Sequence, residues 1–189
     1  IDKDSTGRLW VTYEAEQKIY VQYNTTADYK TYSVPLAIGT GVDPDDISTV
    51  VAFGGNKLGV AWSDQLGERT CFRFRNDTDP VGTWQPLEII RSGFATVDDH
   101  LNMKADGQGR LFLAVKDFFD SVWVARRNAG GTWTLNTGAS GLDCGTRPVL
   151  QIDATLNKLY LFYTHWETCV SLGNHAIDDL DVDPEGSGE

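Results

Sequence analysis

The chain has 189 residues, 41% of them hydrophobic and 11% aromatic, with a formal net charge of −11 and three cysteines. The hydrophobic share is enough for a sizeable core in one domain. The charge argues against nucleic acid or an anionic membrane as partner, and no run approaches the about 18–20 apolar residues of a membrane span, so a soluble chain is expected.

In chain order, Asp2-x-Asp4-x-x-Gly7 has the faint outline of a calcium loop but lacks the further ligands one needs, and a hairpin turn is the better reading. Apart from that weak calcium possibility no cofactor is implied. Lys18 to Asn24 alternates Ile19, Val21 and Tyr23 with Lys18, Tyr20 and Gln22, the pattern of a half-buried strand. Tyr29 to Ile38 follows, with Pro35 marking an outer strand. After the loop 39–46, strands are expected at Ser48–Phe53, Leu58–Trp62, Thr70–Arg75 and Trp84–Ile90. In the third of these, Phe72 and Phe74 share one face and Arg73 and Arg75 the other. Thr96–Lys116, Ser121–Asn128 and Gly131–Asn136 give four more short runs, with Asp106-Gly-Gln-Gly109 as a tight turn. A last unit opens at Thr146–Ile152, continues through Leu159–Trp166 and fades after a short run at Cys169–Leu172. Residues 177–189 hold six acidic residues and no basic one, which reads as a solvated tail or linker.

Two markers repeat. A basic residue and a leucine follow a turn at Arg8-Leu9, Lys57-Leu58, Arg110-Leu111 and Lys158-Leu159, the leucines lying 49, 53 and 48 residues apart. Later in each unit a turn leads to an aromatic at fixed spacing, in Asn24–Tyr29, Asp79–Trp84 and Asn128–Trp133. Four strands in about 40–50 residues is the period of a propeller blade. The fold expected is all-β and propeller-like, with about four consecutive four-stranded antiparallel blades over residues 1–176, in units near 1–44, 45–96, 97–145 and 146–176. The four repeat leucines should then occupy the second strands of successive sheets.

Register with later units places the start of the first blade ahead of Ile1. With no initiator Met and no signal peptide, the chain reads as a processed product, an excised domain or an incomplete piece of a longer one. A segment of a larger propeller is favoured over a compact four-bladed ring, so its partners would include remaining blades or another chain.

Asp79–Thr83-Trp84 and Asn128–Thr132-Trp133 resemble the Asp box of the sialidase-like propellers built from BNR repeats, a Ser/Thr-x-Asp-x-Gly-x-Thr-Trp turn. The acid-to-Trp distance and the Thr-Trp pair are kept; the glycine is displaced by one position, and Asp77 and Arg126 stand where the leading Ser/Thr would be. The resemblance covers the chain from Asp2 to about Leu172 and bears on fold more than on reaction. Asp98-Asp99-His100 is also similar to the Asp-Asp-His run of BNR-type polysaccharide lyases, in which a His and a Tyr carry out β-elimination beside a basic residue that neutralises the uronate. The second histidine of that pattern is replaced here by Lys116-Asp117; His165 holds the matching place one unit later. No set of three positions matches a sialidase arginine triad.

Asp45-Asp46, Asp98-Asp99-His100 and Thr146-Arg147 occupy one equivalent point, ahead of the innermost strand, where the leading loop lines the mouth of a propeller. Asp46, Asp99, His100 and Arg147 are therefore the candidate ligand-binding residues, with His100 as the catalytic candidate if the chain is an enzyme. The competing reading makes these aspartates caps of strand ends. Trp10, Trp62, Tyr160 and Trp166 could stack on sugars, although inter-blade packing suits the first three better. Cys71 is expected as a buried thiol. Cys144 and Cys169 flank the fourth unit's first two strands, where a hairpin can bring them together as a disulfide in an oxidising compartment. Metal-ligand spacing is absent. The expectation for function is an extracellular or periplasmic, non-catalytic binding or adhesion module that recognises a glycan. A propeller-fold polysaccharide lyase or glycoside hydrolase is the alternative.

Overall fold

The computed structural model describes residues 1–136, 145–165 and 178–181. Every regular element among them is a strand, and the strands form four antiparallel sheets in chain order. The first holds β1 (Asp2–Lys3), β2 (Leu9–Ala15), β3 (Lys18–Tyr23) and β4 (Leu36–Thr40). The second holds β5 (Ser48–Phe53), β6 (Lys57–Asp64), β7 (Arg69–Asn76) and β8 (Glu88–Ser92). The third comprises β9 (Leu101–Ala105), β10 (Leu111–Lys116), β11 (Val122–Arg127) and β12 (Trp133–Asn136). The fourth has β13 (Gly145–Asp153), β14 (Lys158–His165) and β15 (Asp178–Asp181). Each sheet is a simple meander, and the four follow one another as propeller-like blades without closing into a ring. No described helix is long and apolar enough to cross a membrane.

Leu9, Leu58, Leu111 and Leu159 all stand on second strands, as their spacing requires. Their equivalence extends to direction. Leu58 packs into the core shared with the first sheet, Leu111 into that shared with the second, and Leu159 into that shared with the third. On β10 the alternation is complete: Leu111, Leu113 and Val115 face the second sheet, while Phe112 and Ala114 face the fourth. A strand buried on both faces reads as a continuous apolar run, which is why Leu-Phe-Leu-Ala-Val carries no polar alternation. Close packing also dictates Gly59, where a Cβ would lie 2.7 Å from the Phe72 ring.

The aromatic markers seal the joints between sheets. Trp84 meets Trp10 of the first sheet edge-on at 6.2 Å, and Trp133 meets Phe72 of the second in the same way at 5.3 Å. Trp10 and Trp62 are buried, in the packing role expected of them. Arg75, expected on the same face as Arg73, is fully buried, its guanidinium 5.1 Å over the Trp10 ring. Its counterpart Arg127 grips Glu88 of the preceding sheet with two hydrogen bonds of 2.9 and 2.8 Å. Trp133 Nε1 donates to the same carboxylate at 2.7 Å. Both faces of these sheets are covered, so a charged residue on them finds a partner or an aromatic ring in the neighbouring sheet.

Three expected elements shift. The outer strand expected over Tyr29–Ile38 is β4, starting only at Leu36 after Pro35. β8 begins at Glu88 rather than Trp84, because Trp84 turns into the joint with the first sheet. The third strand of the fourth sheet is β15, in register Leu159↔Leu180, so the acidic segment 177–189 is not wholly a solvated tail. Ladder bonds use backbone groups only, and they tolerate the aspartates of 178–181. Cys169–Leu172, Trp166 and the proposed Cys144–Cys169 pair lie outside the described residues. Cys71 is buried and free, and burial foremost pushes its thiol up to about 12.

Candidate functional site

In a meander of this kind, the turns between second and third strands and the links to the next sheet gather at one end. Here they are residues 16–17, 41–47, 65–68, 93–100 and 117–121. A recurring backbone bond fixes them. Gln17, Glu68 and Asp120 each adopt a left-handed conformation, with φ of 57, 49 and 59°. Their carbonyls accept the N–H of Gly41, Gly93 and Gly145 at 3.0, 3.0 and 2.7 Å. These glycines are spaced by 52 residues each time, a third repeat marker that neighbouring sequence does not advertise.

Within this end, the link 93–100 pairs with the start of the 117–121 turn. Asp98 N donates to Lys116 O at 3.0 Å, Lys116 N to His100 O at 2.9 Å, and Phe118 N to Ala95 O at 3.2 Å. The hairpin register thus sets Lys116 beside Asp98, and its ammonium bonds Asp98 and also reaches Asp120 at 3.0 Å. Partial burial favours the neutral form of Lys116, yet the two carboxylates prevail and raise its pKa, so it stays charged. Burial would likewise raise Asp98, but hydrogen bonds from Asp99 and Lys116 hold its pKa below the ordinary carboxyl value. Asp99 takes the other half of that bargain. Burial first, then the adjacent Asp98 carboxylate, push its pKa up, and Asp45 from the preceding link adds to the effect. His100 Nδ1 lies 2.5 Å from Asp99 Oδ1, without hydrogen-bond alignment. The side chains of His100 and Asp99 remain 26% and 34% exposed.

One oxygen or nitrogen from each of Asp98, Asp99 and His100 can be drawn within 4.8 Å of the others. The ammonium of Lys116 already neutralises Asp98, which makes the trio a poor cation site. The arrangement instead presents carboxyl acceptors and an imidazole on a partly exposed face, a set able to bind hydroxyls or exchange a proton.

Of the four candidate residues, Asp99 and His100 come together. Asp46 does not join them as a ligand-facing group: it is 2% exposed, accepting Asp43 N at 2.7 Å and Gln65 N at 3.2 Å. For Asp46 the capping role wins, because its carboxylate replaces partners that the two loop amides would otherwise lose on burial. Arg147 sits exposed with φ of 53° beside a bulge between Thr146 and Val149. The cation of the acidic pair is Lys116, the residue standing where the lyase pattern has its second histidine. Asp45 is exposed and held by Gln65 Nε2 at 2.8 Å; its pKa is raised by burial and by Asp43. Lys116, Asp98, Asp45 and Asp120 were missed as a set; the hairpin register of His100 with Lys116 was the available signal.

The outline of a calcium loop near the N-terminus resolves into a turn. Asp4 accepts from Thr6 N, Thr6 Oγ1 and Arg8 N through one oxygen and from Trp10 Nε1 through the other, at 2.7–3.0 Å. Asp2 Oδ2 accepts Ala52 N of the second sheet at 2.7 Å.

Beside the polar cluster lies an apolar groove of about 280 Å³, lined by Phe94, Ala95, Val97 and Phe118 with Gln65, Glu68 and Thr96. Phe94, Phe118 and Phe119 are 79%, 61% and 67% exposed.

No protein-family model matches the chain, and no curated protein matches it. Among solved structures it is similar, at 16% identity and a TM-score of 0.47, to a protein of unknown function from Dyadobacter fermentans DSM 18053. That match covers 85% of this chain and 54% of the other, so the chain spans about half the length of that protein.

Proposed function

We propose that this chain is an extracellular, non-catalytic carbohydrate-recognition module of BNR-like propeller type, binding its ligand at the end that carries residues 93–100 and 117–121. The observation that carries the reading is the partly exposed pair Asp99 and His100, held beside Asp98 and Lys116 within one hairpin register. A carboxyl acceptor next to an imidazole that can donate or accept suits sugar hydroxyls, since each hydroxyl both gives and accepts. Lys116 is tied to two carboxylates and stays protonated, so it is not available as a general base. It is also not free to neutralise a uronate, which weighs against the lyase alternative.

One observation favours an enzyme: Asp99, its pKa raised by burial and by Asp98, stands next to an imidazole, a pairing suited to acid–base chemistry. The two readings part in one experiment. Glycan-array binding of the wild type and an Asp99→Ala/His100→Ala variant is run beside turnover assays on uronate polymers. Binding lost in the variant with no turnover in the wild type supports the module. Unsaturated products absorbing in the ultraviolet establish a lyase. Binding untouched by the double substitution removes this face from consideration.

A further inference from the structure

Three phenylalanines stand uncovered on two loops that are bonded to each other through Phe118 N and Ala95 O. Exposed aromatics grouped against a groove mark a contact surface more often than scattered ones do. The groove of about 280 Å³ is near the lower size of small-ligand sites, about 300 Å³, and open along the face. Its walls are Phe94, Val97 and Phe118, and its polar rim holds Glu68 with the neutral Gln65 and Thr96.

The charge count around it is lopsided. Glu68, Asp98, Asp99 and Asp120 lie on the loops that border the groove, and Asp45 acts on Asp99 from the preceding link. Lys116 is the cation among them, already engaged by Asp98 and Asp120. The nearby arginines are committed elsewhere: Arg69 to Asp64 at 2.7 Å, Arg91 to Asp117 at 3.8 Å and over the Trp123 ring at 5.0 Å. An anionic sugar approaching here would meet uncompensated carboxylates. An amine would relieve them, and an ammonium near an aromatic face gains cation–π attraction as well.

We propose that the ligand is a cationic amino-sugar polymer, a glycan with free amines, whose ring faces lie on Phe94 and Phe118 while its ammonium groups point to Asp99, Asp45 and Glu68. This rests on the carbohydrate reading above and narrows it to one class. Binding should weaken with added salt, because the pairs form at an exposed rim.

The test is isothermal titration of the full chain with a glucosamine hexamer, an N-acetylglucosamine hexamer and a polygalacturonate oligomer, at low and high salt. The glucosamine hexamer should bind best, by about tenfold or more over the others, and lose that advantage in Asp99→Asn. Phe118→Ala should weaken it about fivefold or more. If Phe118→Ala fails to fold by circular dichroism, Phe94→Ala, at the more exposed ring, replaces it. Equal or better binding of the N-acetylated hexamer overturns the amine assignment and leaves carbohydrate recognition standing. Preference for polygalacturonate overturns it too. Polylysine of equal charge displacing the hexamer, or hexamer affinity unchanged in both variants, shows a diffuse charge effect and overturns it. Binding of no glycan of any kind removes both this inference and the reading beneath it.

Discussion

Where first strands turn into second ones, Asp4, Asp106 and Asp153 each fold back on their own turn and accept its amides. At the opposite end of the same sheets, Asp45, Asp98 and Asp99 crowd one another, and two of the three have pKa values pushed up. Caps exist there as well: Asp46, Asp64 and Asp117 serve their loops much as Asp4 does. The difference lies in what remains after the caps are subtracted. At the turn end the aspartates lower the energy of the fold, and at the link end a surplus of acid is held against its electrostatic preference. Displaced carboxyl pKa values occur at functional sites and in structural ion-pair networks alike.

The sharpest way to break the comparison is to remove one aspartate from each end. Asp4→Ala strands Thr6 N, Arg8 N and the buried Trp10 Nε1, and should cost about 3 kcal/mol in urea denaturation. Asp99→Asn should leave stability unchanged or slightly higher. Equal losses in the two variants would dissolve the distinction. Between the ends, Glu88→Gln removes the charge that holds Arg127 and should cost roughly 2 kcal/mol, read the same way. A loss as small as that of an exposed pair would mean that the joint is carried by Trp133 and Phe72 alone.

Stability against pH sharpens the contrast further. Asp99 has a raised folded value, so the folded chain takes up its proton at a higher pH than the unfolded chain does. Stability should therefore rise modestly as pH falls through that value toward the ordinary 3.8. Asp4 and Asp98 act in the opposite sense: lowered values give stability that is present above 3.8 and lost as pH falls through their folded values. For Asp4, burial alone would raise the value, and hydrogen bonds from Thr6 and Trp10 overcome it. Urea midpoints across this range should show a shallow rise and then a drop, with the rise reduced in Asp99→Asn to what Asp45 supplies. The smallest effect belongs to the repeated backbone bond. Gln17→Gly removes the cost of a left-handed side-chain-bearing residue and should gain about 0.5 kcal/mol in thermal unfolding.

The period of the fold was readable because each sheet needs a basic–Leu–apolar start to its second strand, and Leu9, Leu58, Leu111 and Leu159 carry it. Trp84 and Trp133 were legible as markers, though their use as joint seals depends on the neighbouring sheet and no local pattern states it. The 52-residue spacing of Gly41, Gly93 and Gly145 escaped notice, since the acceptor is a carbonyl and Gln17, Glu68 and Asp120 share no side chain. At the candidate site, equal register places Asp46, Asp99 and His100 on links ahead of first strands. Register says where a residue sits and not whether its own loop consumes its carboxylate, as happens to Asp46. Against the lyase motif Lys116 is a departure, and only strand pairing turns it into the partner of Asp98. Aromatic residues in loops, Phe94 and Phe118 among them, carried no periodic signal at all.

No strand of one described sheet pairs with a strand of another; neighbouring sheets meet through side chains such as Glu88, Trp133 and Trp10. Under mechanical load that architecture is a row of separate fuses. Pulled from its ends, the chain should yield one sheet at a time, each release freeing a length set by the repeat. For 52 residues that is about 170–190 Å of extended chain per step. A force trace would thus register the repeat as a ruler, in units that owe nothing to sequence comparison.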